Sequence, residues 1–247
     1  MHCWLRFAGV SFVVMKRFLL PLILVLTGCN EIPASKTQRE FKKPVLRYLN
    51  EVLIKKDFGA GDGRVVRWIE SPEVVLMEGS PEHRKLLNGV VDQLNGALKG
   101  TPMRLRSAER STNARLVEVF MVPRSRFGEV GRKCGFDPPP NQDGFVWVKW
   151  NTKKKYIYRA TVLIAVDRLK AGMLQHVLLE EMTQALGPLG DTTVTPDSVM
   201  YEKGRGHGKA PMLGEWDRRM LGLLYGHLKP GDGWSEVEAA FARFWGK

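Results

Sequence analysis

The chain has 247 residues, 44% of them hydrophobic and 26% charged, and a formal net charge of +12. That balance supports a sizeable core and excludes a long disordered or repetitive protein. The basic excess asks for an anionic partner.

The N-terminus narrows the choice of partner. Met15-Lys16-Arg17 is a short basic start, Phe18 to Leu26 is apolar, and Leu26-Thr27-Gly28 puts small residues before Cys29. The layout is that of a secretory signal, too short for a spanning helix. Its ending resembles the lipobox of bacterial lipoproteins, which implies that Cys29 carries the lipid and becomes the new N-terminus. The alternative is an ordinary cleaved signal with an incidental cysteine. Residues 1–14 fit poorly ahead of such a signal, so Met15 is read as the start; the alternative is a longer, two-part hydrophobic leader that would still export the chain. Two acyl attachments suit stable anchoring, and Asn30 after the cysteine favours the outer membrane if the enteric sorting rule applies.

The leader holds three of the 38 basic residues and no acidic one, leaving 35 basic against 26 acidic residues in the mature chain. Export rules out nucleic acid as the partner and favours anionic lipid or the acidic cell-wall polymer. With Cys29 lipidated and Cys3 in the extension, Cys134 stands alone and no internal disulfide is expected. Cys134 reads as a small buried apolar residue.

Three regions are expected: a signal region at 1–28; the lipidated cysteine, a tether and a helical segment at 29–63; and a globular domain at 64–247. Arg39 to Lys56 has helical spacing at Phe41, Val45, Leu49 and Leu53, with Pro44 breaking it near its start. Gly59 to Gly63 is a flexible break. Val65 to Met77 reads as strand, interrupted at Pro72. Ser80 caps a helix with Pro81 in its first turn, and Gly100 closes it. Met103 to Arg106 and Arg115 to Val122 read as strands, and Pro123 to Phe136 as a short helix and loop. Phe145 to Trp150 and Tyr156 to Val166 form a hairpin around Asn151-Thr152-Lys153-Lys154-Lys155. Trp147, Trp150, Tyr156 and Tyr158 with its lysines either grip an anionic surface or belong to a solvated turn that protects an edge strand.

Leu169 to Gly187 is the strongest helix, stopped by Gly187-Pro188. Leu213 to Gly226 is helical, and Ser235 to Glu238 is a capping box that opens a last helix. The class is α+β, a mixed sheet with helices packed on it.

Chemistry concentrates in Glu180-Glu181-Met182-Thr183-Gln184-Ala185-Leu186-Gly187. Positions 180 and 184 share a helix face one turn apart, the spacing of the two metal ligands in H-E-x-x-H, and Glu181 takes the place of the general base. Both histidine positions are altered, to Glu180 and Gln184. Pro196-Asp197-Ser198-Val199-Met200-Tyr201, with Ser198 and Met200, looks like a methionine turn. Together with the order of elements over 64–247, these residues resemble a degenerate zincin of the metzincin branch. That implies a zincin-like mixed sheet with an active-site-type helix, a methionine-turn-like segment and C-terminal helices. The E-E-x-x-Q-x-L-G helix, the Asp-Ser turn and Leu223-Leu224-Tyr225-Gly226-His227-Leu228-Lys229-Pro230-Gly231 resemble an uncharacterised family of bacterial secreted proteins and lipoproteins, a domain of unknown function.

The extended zinc motif would put its third ligand at Gly190, which has no side chain; Asp191 follows it. Glu180, Gln184 and Asp191 offer oxygen donors only, a set suited to a non-zinc divalent cation such as calcium or magnesium. No cofactor is predicted, and zinc peptidase activity is not expected. His176, one turn before Glu180, reads as a packing residue or a further ligand. His207, in the basic stretch Lys203 to Lys209, reads as part of a solvated loop or an anion-binding cap. Glu180 and Glu181 have a structural reading too, as buried carboxylates partnered by the backbone or by Arg168.

Three functions compete. In the first, the chain is an envelope-anchored binding or accessory protein that uses the cleft, with strand addition of an extended peptide. The second is a non-classical hydrolase acting on peptide or cell wall with Glu181 as general base. The third is a structural contact from the basic surface to anionic lipid or peptidoglycan.

Overall fold

A computed structural model describes residues 36–55, 62–203, 206–207 and 210–245. The expectations for Met15, Cys29 and residues 59–61 lie outside these. Helix α1 (Lys36–Leu53) opens the described chain, followed by strands β1 (Arg67–Trp68) and β2 (Glu73–Glu78). Pro72 separates the two strands, as its missing amide donor dictates. Helix α2 (Pro81–Ala97) starts at its Ser80 cap, whose hydroxyl accepts the His83 amide. Strands β3 (Arg106–Ala108) and β4 (Leu116–Val122) come next, then α3 (Phe127–Cys134). The hairpin is β5 (Gly144–Trp150) and β6 (Tyr156–Ala165). Helix α4 (Ala171–Gln184), a small ribbon of β7 (Glu202–Lys203) and β8 (Gly206–His207), and helices α5 (Glu215–His227) and α6 (Trp234–Phe244) complete the chain.

The result is the expected α+β class. The main sheet runs β1-β6-β4-β2-β3, with β5 antiparallel on β6 and the other pairings parallel. Strands β4 and β6 are buried along most of their length, as parallel strands covered on both faces should be. Because β4 and β5 pair with the same stretch of β6, they occupy its opposite edges, and β5 becomes an outer strand.

Helix α1 differs from expectation. Pro44 lies inside it without breaking it, and Val45, Tyr48, Leu49 and Val52 are wholly buried in the main core. The compact unit therefore runs from Lys36 to Lys247 rather than from Arg64. Two smaller shifts follow from capping and pairing. The third strand forms at Arg106–Ala108, where β2 offers a partner. The last helix takes Gly233 as its cap, because the Glu236 carboxylate accepts the Gly233 amide at 2.7 Å, displacing Ser235 from that role.

The end of α4 is held from three sides. The Trp68 indole donates to the Ala185 carbonyl (2.8 Å) and the Tyr225 hydroxyl to that of Leu186 (2.6 Å). Gly187 then turns with φ +119°, pressed against the Val66 carbonyl where no side chain fits. Arg67, buried in β1, donates to the carbonyls of Trp68, Leu224 and Leu228, and so satisfies the otherwise orphaned end of α5.

Candidate functional site

A cleft of about 520 Å³ lies between β5 and α4. Every residue from Gly144 to Trp150 lines it on the strand side. Trp147 and Tyr158, both more than a third exposed, give that wall an aromatic face, and Phe136 stacks on Trp147 at 5.4 Å. Across from it stand Glu180, Glu181 and Gln184 of α4, with Asp191 and Glu202 beyond. Glu180, Glu181, Gln184 and Asp191, singled out in sequence, thus share one cavity. Glu202 was not among them; it arrives because the Thr192 carbonyl accepts its amide (3.0 Å), docking β7 beside the segment after α4.

Why α4 approaches β5 so closely is explained by Gly144. A Cβ there would collide with Val177 and stand 2.5 Å from a Glu181 carboxylate oxygen. The helix consequently seats Glu181 against the start of the strand.

Glu180 and Glu181 are 7% and 8% exposed. Burial pushes the Glu180 carboxyl well above the usual range, and the neighbouring Glu181 and Glu202 charges add to this. Burial likewise raises Glu181 well above that range, with Asp191 contributing. Arg168, expected as a partner for these carboxylates, pairs instead with Asp143 at 3.2 Å. His176 is fully buried, its Nδ1 2.9 Å from the Ala210 carbonyl and its Nε2 3.5 Å from Glu180. It packs α4 against the segment before α5. The Gln184 amide donates to Asp191 at 3.0 Å.

The Glu180 and Glu181 carboxyls both titrate above 4.5 in the folded chain, so above that pH the folded state binds more protons than the unfolded one and stability falls as pH rises. The double variant E180Q/E181Q is expected to remove this slope. With chelator present, its melting temperature should match the parent near about pH 4 and exceed it near about pH 8. Parallel melting curves for the two chains across that range would refute the assignment.

The methionine-turn-like segment has a different anchor. Asp217 is wholly buried. Its carboxylate accepts from the Tyr48 hydroxyl (2.7 Å), the Ser198 hydroxyl (2.6 Å), the Val199 amide (2.9 Å) and the Gly214 amide (2.8 Å). Ser198 also accepts the Met200 amide, and Met200 is fully buried in the main core. Glu51 of α1 makes a parallel clamp, accepting from the Thr192 hydroxyl (2.7 Å) and the Thr193 amide (3.2 Å). Sequence reading missed both acids, since their partners come from distant segments.

A tripod of zinc ligands does not fit this site. A Cβ on Gly190 would overlap the Glu51 carbonyl and lie 2.6 Å from that of Lys55, so the third-ligand position is filled by the backbone of α1. Gln184 presents an amide already engaged with Asp191. Among the described residues no three His, Cys, Asp or Glu side chains are grouped to hold a metal ion.

Other expectations concern residues that do not line the cleft. Cys134 is half-buried, and burial, with Glu118 nearby, pushes its thiol up, away from reactivity. Lys203 to Lys209 includes the β7–β8 ribbon rather than a simple loop; the His207 side chain lies outside the described residues.

A family model described as a protein of unknown function (DUF2927) matches residues 43–243. The chain belongs to this family. No curated protein matches it. Among solved structures, a structure of myroilysin is similar at 12% identity and a TM-score of 0.41, covering 66% of this chain and 98% of that one. High choriolytic enzyme 1, a hatching enzyme zinc-protease from Oryzias latipes (medaka fish), is similar at 13% identity and a TM-score of 0.37, covering 71% and 94%. DUF2927 membership begins within α1, in keeping with that helix lying in the core.

Proposed function

We propose that this DUF2927 chain is a lipid-anchored, extracytoplasmic binding protein that takes an extended peptide along β5, in a cleft of zincin-like layout that does not work as a zinc peptidase. The observation that carries this reading is the position of β5. It is an outer strand whose seven residues all line the cleft facing Glu180 and Glu181. An outer strand offers unpaired backbone N–H and C=O groups, and a partner chain can add to it as a further strand.

The test is hydrogen exchange on the full chain in detergent with a library of short unstructured peptides. Binding is expected to protect the amides of 144–150 selectively; protection confined to other segments, or no binding, would refute the reading. The same incubations decide the hydrolase alternative, which the buried and raised carboxyl of Glu181 favours. Cleavage of a peptide by the parent chain that disappears in Glu181→Gln would establish it. Repeating the incubations with calcium and magnesium tests the oxygen-donor cation site at Glu180, Gln184 and Asp191.

Anchoring rests on Leu26-Thr27-Gly28-Cys29. The lipid on Cys29 would hold the chain at the envelope, on the periplasmic face of the outer membrane in a Gram-negative cell. From there its basic excess can face anionic lipid or peptidoglycan. No helix among the described residues is long and apolar enough to cross a membrane. Cys29→Ser is expected to move the chain from the membrane pellet to the soluble fraction, and a variant that stays in the pellet would count against lipidation.

A further inference from the structure

The cleft is chemically lopsided. Its strand wall is aromatic and aliphatic, while its helix side carries Glu180 and Glu181, with Asp191 and Glu202 beyond them. Lys149 is the only cation among the described lining residues, and its ammonium donates to the Cys134 carbonyl at 2.8 Å instead of reaching the acids. Glu181 is the telling residue. It is 8% exposed and lines the cleft, and its carboxylate accepts no hydrogen bond from the described residues. A carboxylate that deep is normally matched by a donor. The position beside it that could have supplied one from the strand is Gly144, which offers no side chain.

We propose that the partner supplies the missing donor: the peptide bound along β5 carries a lysine or arginine whose cationic head is received by Glu181 and Glu180. The inference rests on the peptide reading given above and names the class of peptide. The walls suit such a side chain along its whole length. Trp147 and Tyr158 can cover its methylene stem, and the acids meet its head. Selectivity would follow from burial, because a neutral side chain in the same place leaves the Glu181 carboxylate without a counter-charge. The overall charge works against the effect, since 35 basic against 26 acidic residues from Cys29 onward leave a net positive chain that repels basic peptides.

The experiment uses fluorescent peptides of one neutral sequence that differ only at the central residue, lysine, arginine, glutamine or glutamate. Affinity is read by anisotropy against the full chain in detergent. The lysine and arginine peptides are expected to bind at least about tenfold tighter than the glutamine peptide, the glutamate peptide weakest. In E180Q/E181Q that preference should vanish, the lysine, arginine and glutamine peptides binding within about twofold of one another. This split between basic and neutral peptides is one that general damage to the fold would not produce. Equal binding of all four peptides, or a lysine preference that survives in the variant, overturns the inference and leaves the peptide-binding reading intact. Binding of none overturns both.

Discussion

Asp217→Ala is expected to lower stability by about 4 kcal/mol, for a fall in melting temperature of about 8–16 °C. The estimate comes from what the carboxylate holds. Four donors converge on it from α1, the methionine-turn-like segment and the start of α5, three of them buried and the Gly214 amide part-buried. Alanine leaves the three buried ones without an acceptor, at about 1–3 kcal/mol per group before relaxation. Such losses are not additive within one network, so the total falls short of their sum. Tyr48→Phe, which removes one of the four bonds, should cost about 1 kcal/mol. Glu238→Ala, at an exposed position of α6, should stay within about 0.5 kcal/mol of the parent. Thermal and urea denaturation of the three variants checks the order. If Asp217→Ala melts within a degree or two of the parent, the network does not anchor the turn.

Gly190→Ala should be the next most damaging single change, at about 3 kcal/mol and a loss of about 6–12 °C. The added methyl group has nowhere to go, because the atoms it meets are backbone carbonyls of Glu51 and Lys55 rather than flexible side-chain ends. Relief requires α1 to lift, which also pulls Glu51 from Thr192 and Thr193. Those contacts seat the segment carrying Asp191, so the cleft should lose its shape as well as its stability. Histidine at 190, as the extended zinc motif would demand, should be worse still. Gly89→Ala on the exposed face of α2 is the matched control. A Cβ there meets nothing within 4 Å, and the change should be neutral or stabilising by about 0.5–1 kcal/mol. Equal melting temperatures for the two alanine variants would mean that α1 does not close this position.

Much of the fold was legible because it is written in local chemistry. Ser80-Pro81 starts a helix, Pro72 splits a strand and Gly187-Pro188 ends α4, each through a backbone effect confined to a few residues. The cleft side of α4 was legible from helical spacing, which put Glu180 and Gln184 on one face. What was hidden depends on pairs far apart in the chain. Tyr48 and Asp217 are 169 residues apart, and nothing near either predicts their hydrogen bond. Asp217 sits beside Trp216 in a stripe of apolar residues and reads as an ordinary first-turn acid. Helix α1 was set outside the domain because Pro44 and the glycines at 59–63 look like boundaries, whereas its buried face finds α6 and the far side of the core. Gly190 could be seen as a missing ligand but not as a contact, since only the path of α1 shows what occupies its side. Glu202 enters the cleft by a backbone bond to Thr192, which no spacing rule foresees.

An ion held between a helix and a loop acts as a removable rivet, and a domain assembled around one is only as sound as its supply of metal. The Asp217 carboxylate makes the corresponding joint from the chain's own atoms, among residues that do not line the cleft. The cleft face of α4 is thereby relieved of structural duty. Residues at 180, 181 and 184 can be exchanged to retune what enters the cleft, while that joint keeps the domain assembled.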